Sequence, residues 1–137
     1  MAIRLLLADD YEFILEALQA ILCREADVSV LGVALDGRTA LELTGTLAPD
    51  ILVLDVSMPD MDGVEVTRVV KARHPKVKVI AFSGHSDAEI ARRVLAAGAS
   101  GFVAKASASD EIVPAIRDVA AGKVFLSPQV ANELLAR

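Results

Sequence analysis

Polar side chains that could do chemistry stand at the ends of short apolar runs along this chain. Two carboxylates follow the first run, a third follows another, and a hydroxyl and an amine follow two more. Clustered carboxylates suit a hard divalent cation such as Mg²⁺, and an amine with a hydroxyl suits the oxygens of a phosphoryl group. The five residues are Asp9 and Asp10 after 3–8, Asp55 after 51–54, Ser83 after 77–82, and Lys105 after 101–104.

The chemistry depends on whether these side chains meet. Taken singly, Asp10 before a helix is typical of an N-cap, and Asp55 is typical of a turn. Taken together, the acids could bind a metal ion, and an aspartate can also accept a phosphoryl group covalently. Lys105 would then neutralise one phosphoryl oxygen, and Ser83 would donate a hydrogen bond to another.

The elements that carry these residues predict that they do meet. Apolar runs alternate five times with amphipathic helices, which is typical of parallel strands buried on both faces. We therefore predict an α/β fold, a flavodoxin-like (βα)5 doubly wound parallel sheet with strand order 2-1-3-4-5. Ligands of such sheets bind at the carboxyl ends of the strands, near the switch point between strands one and three. Asp9, Asp10 and Asp55 should be neighbours there.

Two local predictions concern the helices. The first helix should span 11–23, with Phe13 and Ala17 on its apolar stripe and Cys23 buried as a core thiol. The segment 62–65 predicts a capping box, in which the Asp62 side chain accepts from the amide of Glu65 and the Glu65 side chain reaches back.

Composition narrows the class of protein. The 137 residues suffice for one domain, and the formal net charge of −5 argues against a dedicated nucleic-acid binder. A single cysteine excludes a disulfide framework and favours the cytoplasm. No signal peptide is apparent, and no run approaches the roughly 20 apolar residues that a membrane span needs.

The motifs as a set resemble the receiver domain of a two-component response regulator, over residues 3 to about 122. The resemblance rests on the acid pair at 9–10, the segment Asp-Val-Ser-Met-Pro-Asp-Met-Asp-Gly at 55–63, Ser83, and Gly-Ala-Ser-Gly-Phe-Val-Ala-Lys at 98–105. It implies that Asp55 accepts a phosphoryl group from a sensor histidine kinase. Such a protein is a switch that promotes its own phosphorylation and dephosphorylation, and it is not a turnover enzyme.

The resemblance also implies a role for each site residue. Asp10, Asp55 and the backbone carbonyl of Ser57 would bind Mg²⁺ directly, and Asp9 would hold it through water. Lys105 would pair with Asp55 and then with the phosphoryl group.

Two further pairs of residues carry implied roles. Ser83 and Phe102 would form the conformational switch, in which phosphorylation draws in the Ser83 hydroxyl and lets Phe102 turn inward. Ser57 and His85 flank the reaction site and would tune its rates, and His85 is expected to be a loop residue at the pocket mouth.

The C-terminal part is similar to the NarL/FixJ subfamily, because Ala106-Ser107 follows Lys105 and Leu126-Ser127-Pro128 ends the domain. This similarity implies a receiver at 1–123 and, at 124–137, the start of an interdomain linker or a C-terminal helical extension. A helix-turn-helix domain outside this chain would bind DNA, and the chain itself would bind neither nucleic acid nor membrane. We expect a fragment of a longer regulator, with a stand-alone receiver as the alternative, and a phosphorylation-dependent homodimer.

Three other functions remain open from the sequence. The first is a receiver-like interaction module that works without phosphorylation. The second is a Mg²⁺-dependent hydrolase or phosphatase with Asp55 as nucleophile, although Ser57 stands where a second aspartate would usually act as acid and base. The third is a flavodoxin-like nucleotide or flavin binder, although two acids stand where its phosphate loop would be.

Overall fold

A parallel six-stranded sheet forms the centre of the protein. The computed structural model describes residues 2–84 and 88–135. Within those ranges the strands are β1 Ile3–Ala8, β2 Val28–Ala34, β3 Ile51–Asp55, β4 Lys78–Ser83, β5 Gly101–Ala104 and β6 Phe125–Leu126. The helices are α1 Glu12–Leu22, α2 Gly37–Leu47, α3 Gly63–Arg73, α4 Ala88–Ala96, α5 Ala108–Ala120 and α6 Pro128–Leu135.

The strand order is β2-β1-β3-β4-β5-β6, and every neighbouring pair is parallel. The predicted order 2-1-3-4-5 and the flavodoxin-like class are confirmed. The sequence did not predict β6, because a run of two residues is too short to show strand periodicity.

The sheet has a buried apolar layer on each face. Alternate residues of the central strands point to opposite sides, so that Leu52 and Leu54 join one cluster while Ile51 and Val53 join the other. The first cluster includes residues of α2, α3, α4 and α6, and the second includes residues of α1 and α5. Helices therefore cover both faces, which explains the continuous apolar runs of the strands.

The prediction for the first helix was partly wrong. The buried residues of α1 are Leu15, Leu18 and Leu22, whereas Phe13 is 67% exposed and Cys23 is an exposed free thiol at the C-cap. The i, i+3, i+7 spacing of the three leucines sets the face that packs on the sheet, and this turns Phe13 toward solvent. Cys23 is not a core residue.

The predicted capping box at α3 is only half present. The Asp62 side chain does cap the helix, but it accepts from the amide of Val64 at 2.8 Å and not from that of Glu65. The Glu65 side chain forms an ion pair with Arg68 one turn later, so it does not reach back to the cap. An i, i+3 salt bridge on the exposed helix surface has taken its place.

The C-terminal residues extend the sheet and its core. β6 pairs with β5 through Gly101 and Phe102, and Val130 of α6 is fully buried in the first cluster. Ser127 between them is also buried: its hydroxyl accepts a hydrogen bond from the amide of Ala104 and donates one to Glu111. Across the part of the chain that the structure covers, none of the helices has the length and apolar character of a bilayer-spanning segment.

Candidate metal and phosphoryl site

Three carboxylates meet at the carboxyl edge of the sheet. The register of β1 and β3 pairs Ala8 with Leu54, which brings Asp9 next to Asp55 at the ends of the two strands. One oxygen from each of Asp9, Asp10 and Asp55 lies within 4.8 Å of the others. Asp9 and Asp55 are buried, whereas Asp10 is exposed at the mouth of the cluster.

Backbone amides orient the two buried carboxylates. The amide of Tyr11 donates to Asp9 Oδ1 at 2.9 Å, and the amide of Ser57 donates to Asp55 Oδ1, also at 2.9 Å. Each acid thus has one oxygen fixed by the loop that follows its strand. The second oxygen, Oδ2, is the one that contacts a side chain in both cases.

Lys105 places its ammonium between these two second oxygens. It lies in a 3₁₀ turn directly after β5, and its Nζ is 2.8 Å from Asp9 Oδ2 and 3.3 Å from Asp55 Oδ2. The family resemblance names Asp55 as the partner, and the structure adds Asp9 at the shorter distance. The buried Asp9 Oδ2 accepts a hydrogen bond from the Lys105 ammonium, which also supplies the positive charge beside it.

Phe82 is a neighbour that sequence reasoning missed. Nζ of Lys105 lies 5.5 Å from the centre of its ring, close enough for a cation–π interaction. Phe82 precedes Ser83 at the end of β4, and the register of β3 and β4 pairs it with Asp55. The register is the signal that could have found it, because neighbours in a parallel sheet end at the same edge.

Burial makes the Asp55 charge costly. Desolvation raises the pKa of the Asp55 carboxyl to about 6, the negative charge of Asp9 adds to the effect, and the Ser57 amide and Lys105 oppose it. Burial alone would lower the pKa of Lys105, but the carboxylates of Asp9 and Asp55 outweigh it and hold that pKa above its usual value. The cluster as a whole is short of positive charge.

A divalent cation fits this arrangement. Three carboxylates face one ammonium, and both burial and the charge of Asp9 raise the pKa of Asp55. Hard oxygen ligands and an open, solvent-facing side are what Mg²⁺ needs, since it usually retains several waters. Ser57, whose carbonyl is expected to be a further ligand, lies in the exposed loop that follows β3.

The other predicted site residues lie along the same sheet edge or within the core. Ser83 is fully buried as the last residue of β4 and pairs in register with Ala104, directly before Lys105. Phe102 is also fully buried, in the same cluster as Val130. The inward turn of Phe102 on phosphorylation stays a prediction; in this structure the ring already lies inside the core. His85 lies outside the described residues.

Comparison with known proteins places this geometry in a family. The family model described as "Response regulator receiver domain" matches residues 5–117. The transcriptional regulatory protein DegU of Brevibacillus brevis is 35% identical over 133 residues, which are 97% of this chain and 56% of DegU. The response regulator GacA of Pseudomonas viridiflava is 36% identical over 132 residues, 96% of this chain and 62% of GacA. The chain thus spans about 60% of the length of these relatives.

A solved structure agrees with the sequence relatives. The crystal structure of a two-component response regulator of the LuxR family from Aurantimonas sp. SI85-9A1 superposes with a TM-score of 0.95 at 31% identity. The superposition covers 99% of this chain and 97% of that one, so it includes β6 and α6 as well as the five βα units.

Proposed function

This chain belongs to the response regulator receiver family, and from that premise we propose that it is a phosphorylation switch that accepts a phosphoryl group on Asp55. Receiver domains are signalling proteins and not classical enzymes, and the match to a receiver model favours this function over the hydrolase and the flavin binder. The observation that carries the proposal is the cluster of Asp9, Asp10, Asp55 and Lys105 at one sheet edge.

Mg²⁺ is the proposed cofactor. Asp10, Asp55 and the carbonyl of Ser57 would hold it directly, and Asp9 would hold it through a water molecule. The bound ion would neutralise phosphoryl oxygens and the carboxylate cluster during transfer. The exposed side of the cluster, at Asp10, leaves room for water and for a phosphoryl donor.

The transfer itself requires an ionised Asp55. Its carboxylate oxygen attacks phosphorus, the new O–P bond forms, and the N–P bond of a kinase phosphohistidine breaks so that the imidazole leaves. Lys105, which already lies 3.3 Å from Asp55 Oδ2, would pair with the transferred group. Such a transfer needs positioning and charge neutralisation more than further covalent chemistry.

The proposed conformational switch couples Asp55 to Ser83 on β4 and to Phe102 on β5. Ser83, buried on the neighbouring strand, would donate its hydroxyl to the new phosphoryl oxygens, with Ser57 and His85 tuning the rates. Because Phe102 is already inside the core, its contribution would come from repacking against the C-terminal segment. This change would alter self-association, giving a phosphorylation-dependent homodimer.

The wider context is also proposed. The chain would receive its phosphoryl group from a sensor histidine kinase in the cytoplasm. Residues 1–123 would be the receiver and 124–137 a C-terminal helical extension leading to a DNA-binding output domain. The name of DegU, a transcriptional regulatory protein that this chain covers over 56% of its length, supports a role in transcription.

Intact-mass spectrometry tests the proposal. The protein is incubated with Mg²⁺ and acetyl phosphate, which should add one phosphoryl group as acetate leaves. The Asp55→Asn variant and a sample with EDTA should both remain unmodified. A wild-type protein that stays unmodified, and that also fails to bind the phosphoryl mimic beryllofluoride, would favour the phosphorylation-independent module.

A further inference from the structure

The loop between β3 and α3 is attached to a helix that is remote from it in sequence. Asp60 lies in this loop, and its Oδ1 accepts from the amide of Gly37 at 2.8 Å while its Oδ2 accepts from the amide of Arg38 at 3.1 Å. These are the first two amides of α2. They have no partner within the helix, and the positive end of the helix dipole favours a carboxylate there.

A second carboxylate caps the same helix from within its own segment. Asp36 Oδ1 accepts from the amide of Thr39 at 2.7 Å, one residue further along the first turn. Asp60 thus accepts from the first two amides of α2, and Asp36 accepts from the third. Only Asp60 belongs to the loop that carries Ser57.

The loop is closed at its base and packed against α2. The amide of Gly63 donates to the carbonyl of Val56 at 3.2 Å, which brings the two ends of the loop together. A Cβ on Gly37 would lie 2.8 Å from Cβ of Met61, so the first residue of α2 must be glycine for the loop to approach this closely. Besides the bond from the Ser57 amide to Asp55, the loop is therefore held at its own base and at the N-terminus of α2.

We propose that Asp60 is a positioning residue that holds the β3–α3 loop against α2 and so keeps Ser57 placed for the metal. The inference rests on the proposed function, because it assigns Asp60 a task toward the Mg²⁺ that Asp55 and Ser57 would share. Holding the loop before the ion arrives lowers the entropy that binding must otherwise remove. Asp60 is not one of the proposed metal ligands, and both of its carboxylate oxygens accept from amides of α2.

The test compares two variants that each remove one carboxylate from the same helix end, Asp60→Ala and Asp36→Ala. Both change the net charge equally and both leave α2 short of a cap. Amide hydrogen exchange of the metal-free protein reports the mobility of residues 57–62, and titration calorimetry reports the Mg²⁺ dissociation constant. Asp60→Ala should speed exchange across the loop and weaken Mg²⁺ binding about 10-fold, as is usual for residues that support metal ligands. Asp36→Ala should leave both quantities close to the wild-type values.

Equal effects of the two variants would overturn the proposal, because Asp60 would then act only through the stability of α2. Wild-type exchange and affinity in Asp60→Ala would overturn it as well. If Asp60→Ala does not fold, Asp60→Asn replaces it, since the amide keeps one oxygen for Gly37 and should give a smaller change in the same direction. A wild-type protein that binds no Mg²⁺ would contradict the proposed function itself, and the first titration shows this before any variant is compared.

Discussion

The Asp55 side chain is buried, and burial disfavours its charged form. Its pKa of about 6 exceeds the ordinary value of 3.8, chiefly because burial disfavours the carboxylate. The folded protein therefore binds more protons at this site than the unfolded chain does at pH values between these two. By linkage, the stabilising contribution of the protonated group is complete below about pH 4 and is lost as the pH rises through 6.

Comparing wild type with Asp55→Asn isolates this contribution. Between pH 5 and pH 8, in EDTA, the wild-type free energy of unfolding should fall by about 1 kcal/mol more than that of Asp55→Asn. Urea unfolding at the two pH values measures the difference, and other titrating groups cancel in the comparison. Parallel pH profiles for the two proteins would show that Asp55 is not titrating in this range.

A substitution of Lys105 should slow phosphoryl transfer without weakening metal binding. Lys105→Met removes the ammonium beside Asp9 and Asp55, so the cluster becomes more negative and should bind Mg²⁺ at least as tightly. The rate of phosphorylation by acetyl phosphate should fall about 10²-fold, because a donor aimed at the developing charge is lost. Calorimetry and the initial rate by mass spectrometry give the two quantities.

Lys123→Met, an exposed lysine after α5, is the control and should change neither quantity. A loss of Mg²⁺ binding in Lys105→Met would mean that the lysine organises the site and does not serve the transfer.

Ser127, which lies between β6 and α6, connects this segment to two elements, β5 and α5. Its hydroxyl accepts from the amide of Ala104 at 2.9 Å and donates to Glu111 of α5, while its own amide donates to the carbonyl of Phe102. The hydroxyl thus satisfies a buried amide immediately before Lys105. Removing it would leave that amide without a partner.

The Ser127→Ala variant should lose about 1–3 kcal/mol of unfolding free energy, the usual cost of a buried donor left unpaired. Urea unfolding measures this loss. Ser109→Ala, which changes an exposed serine on α5, should lie within about 0.5 kcal/mol of wild type. Similar stabilities for the two variants would show that Ala104 finds another acceptor.

The sequence predicted the elements better than it predicted their long-range contacts. β1 and β5 have the bounds of the apolar runs 3–8 and 101–104, because an apolar run is a local signal. The capping box failed at Glu65, since an equally local alternative, the pair with Arg68, was available. The bond from Asp60 to Gly37 spans 23 residues and has no local signal at all.

At the scale of the whole molecule, the C-terminal segment 124–135 is part of the domain's core. β6 continues the sheet beside β5, and Val130 of α6 lies fully buried in the cluster that contains Phe102. The sequence predicted an extension here, but it could not predict that Val130 of this extension joins the buried cluster that contains Phe102. β6 has two residues and α6 has eight, and elements this short give too little sequence pattern to predict what they pack against.

A variant truncated after Lys123 tests whether residues 124–135 stabilise the domain. It should lose about 3 kcal/mol or more of unfolding free energy, given the apolar side chains that it uncovers, and should bind an apolar fluorescent dye. Leu135→Ala in the full chain is the control, because the Leu135 side chain is 85% exposed and its removal should cost little. A truncated chain as stable as the full one would mean that β6 and α6 do not contribute to the stability of the domain.

Asp55 is the proposed phosphoryl acceptor among three neighbouring carboxylates. Borohydride reduction of the phosphorylated protein converts an aspartyl phosphate to homoserine, and peptide mass mapping then identifies the residue. We expect homoserine at position 55 alone, and only in samples phosphorylated with Mg²⁺ present. Homoserine at position 9 or 10, or an unmodified Asp55 in a protein that carries the phosphoryl group elsewhere, would show that Asp55 is not the acceptor.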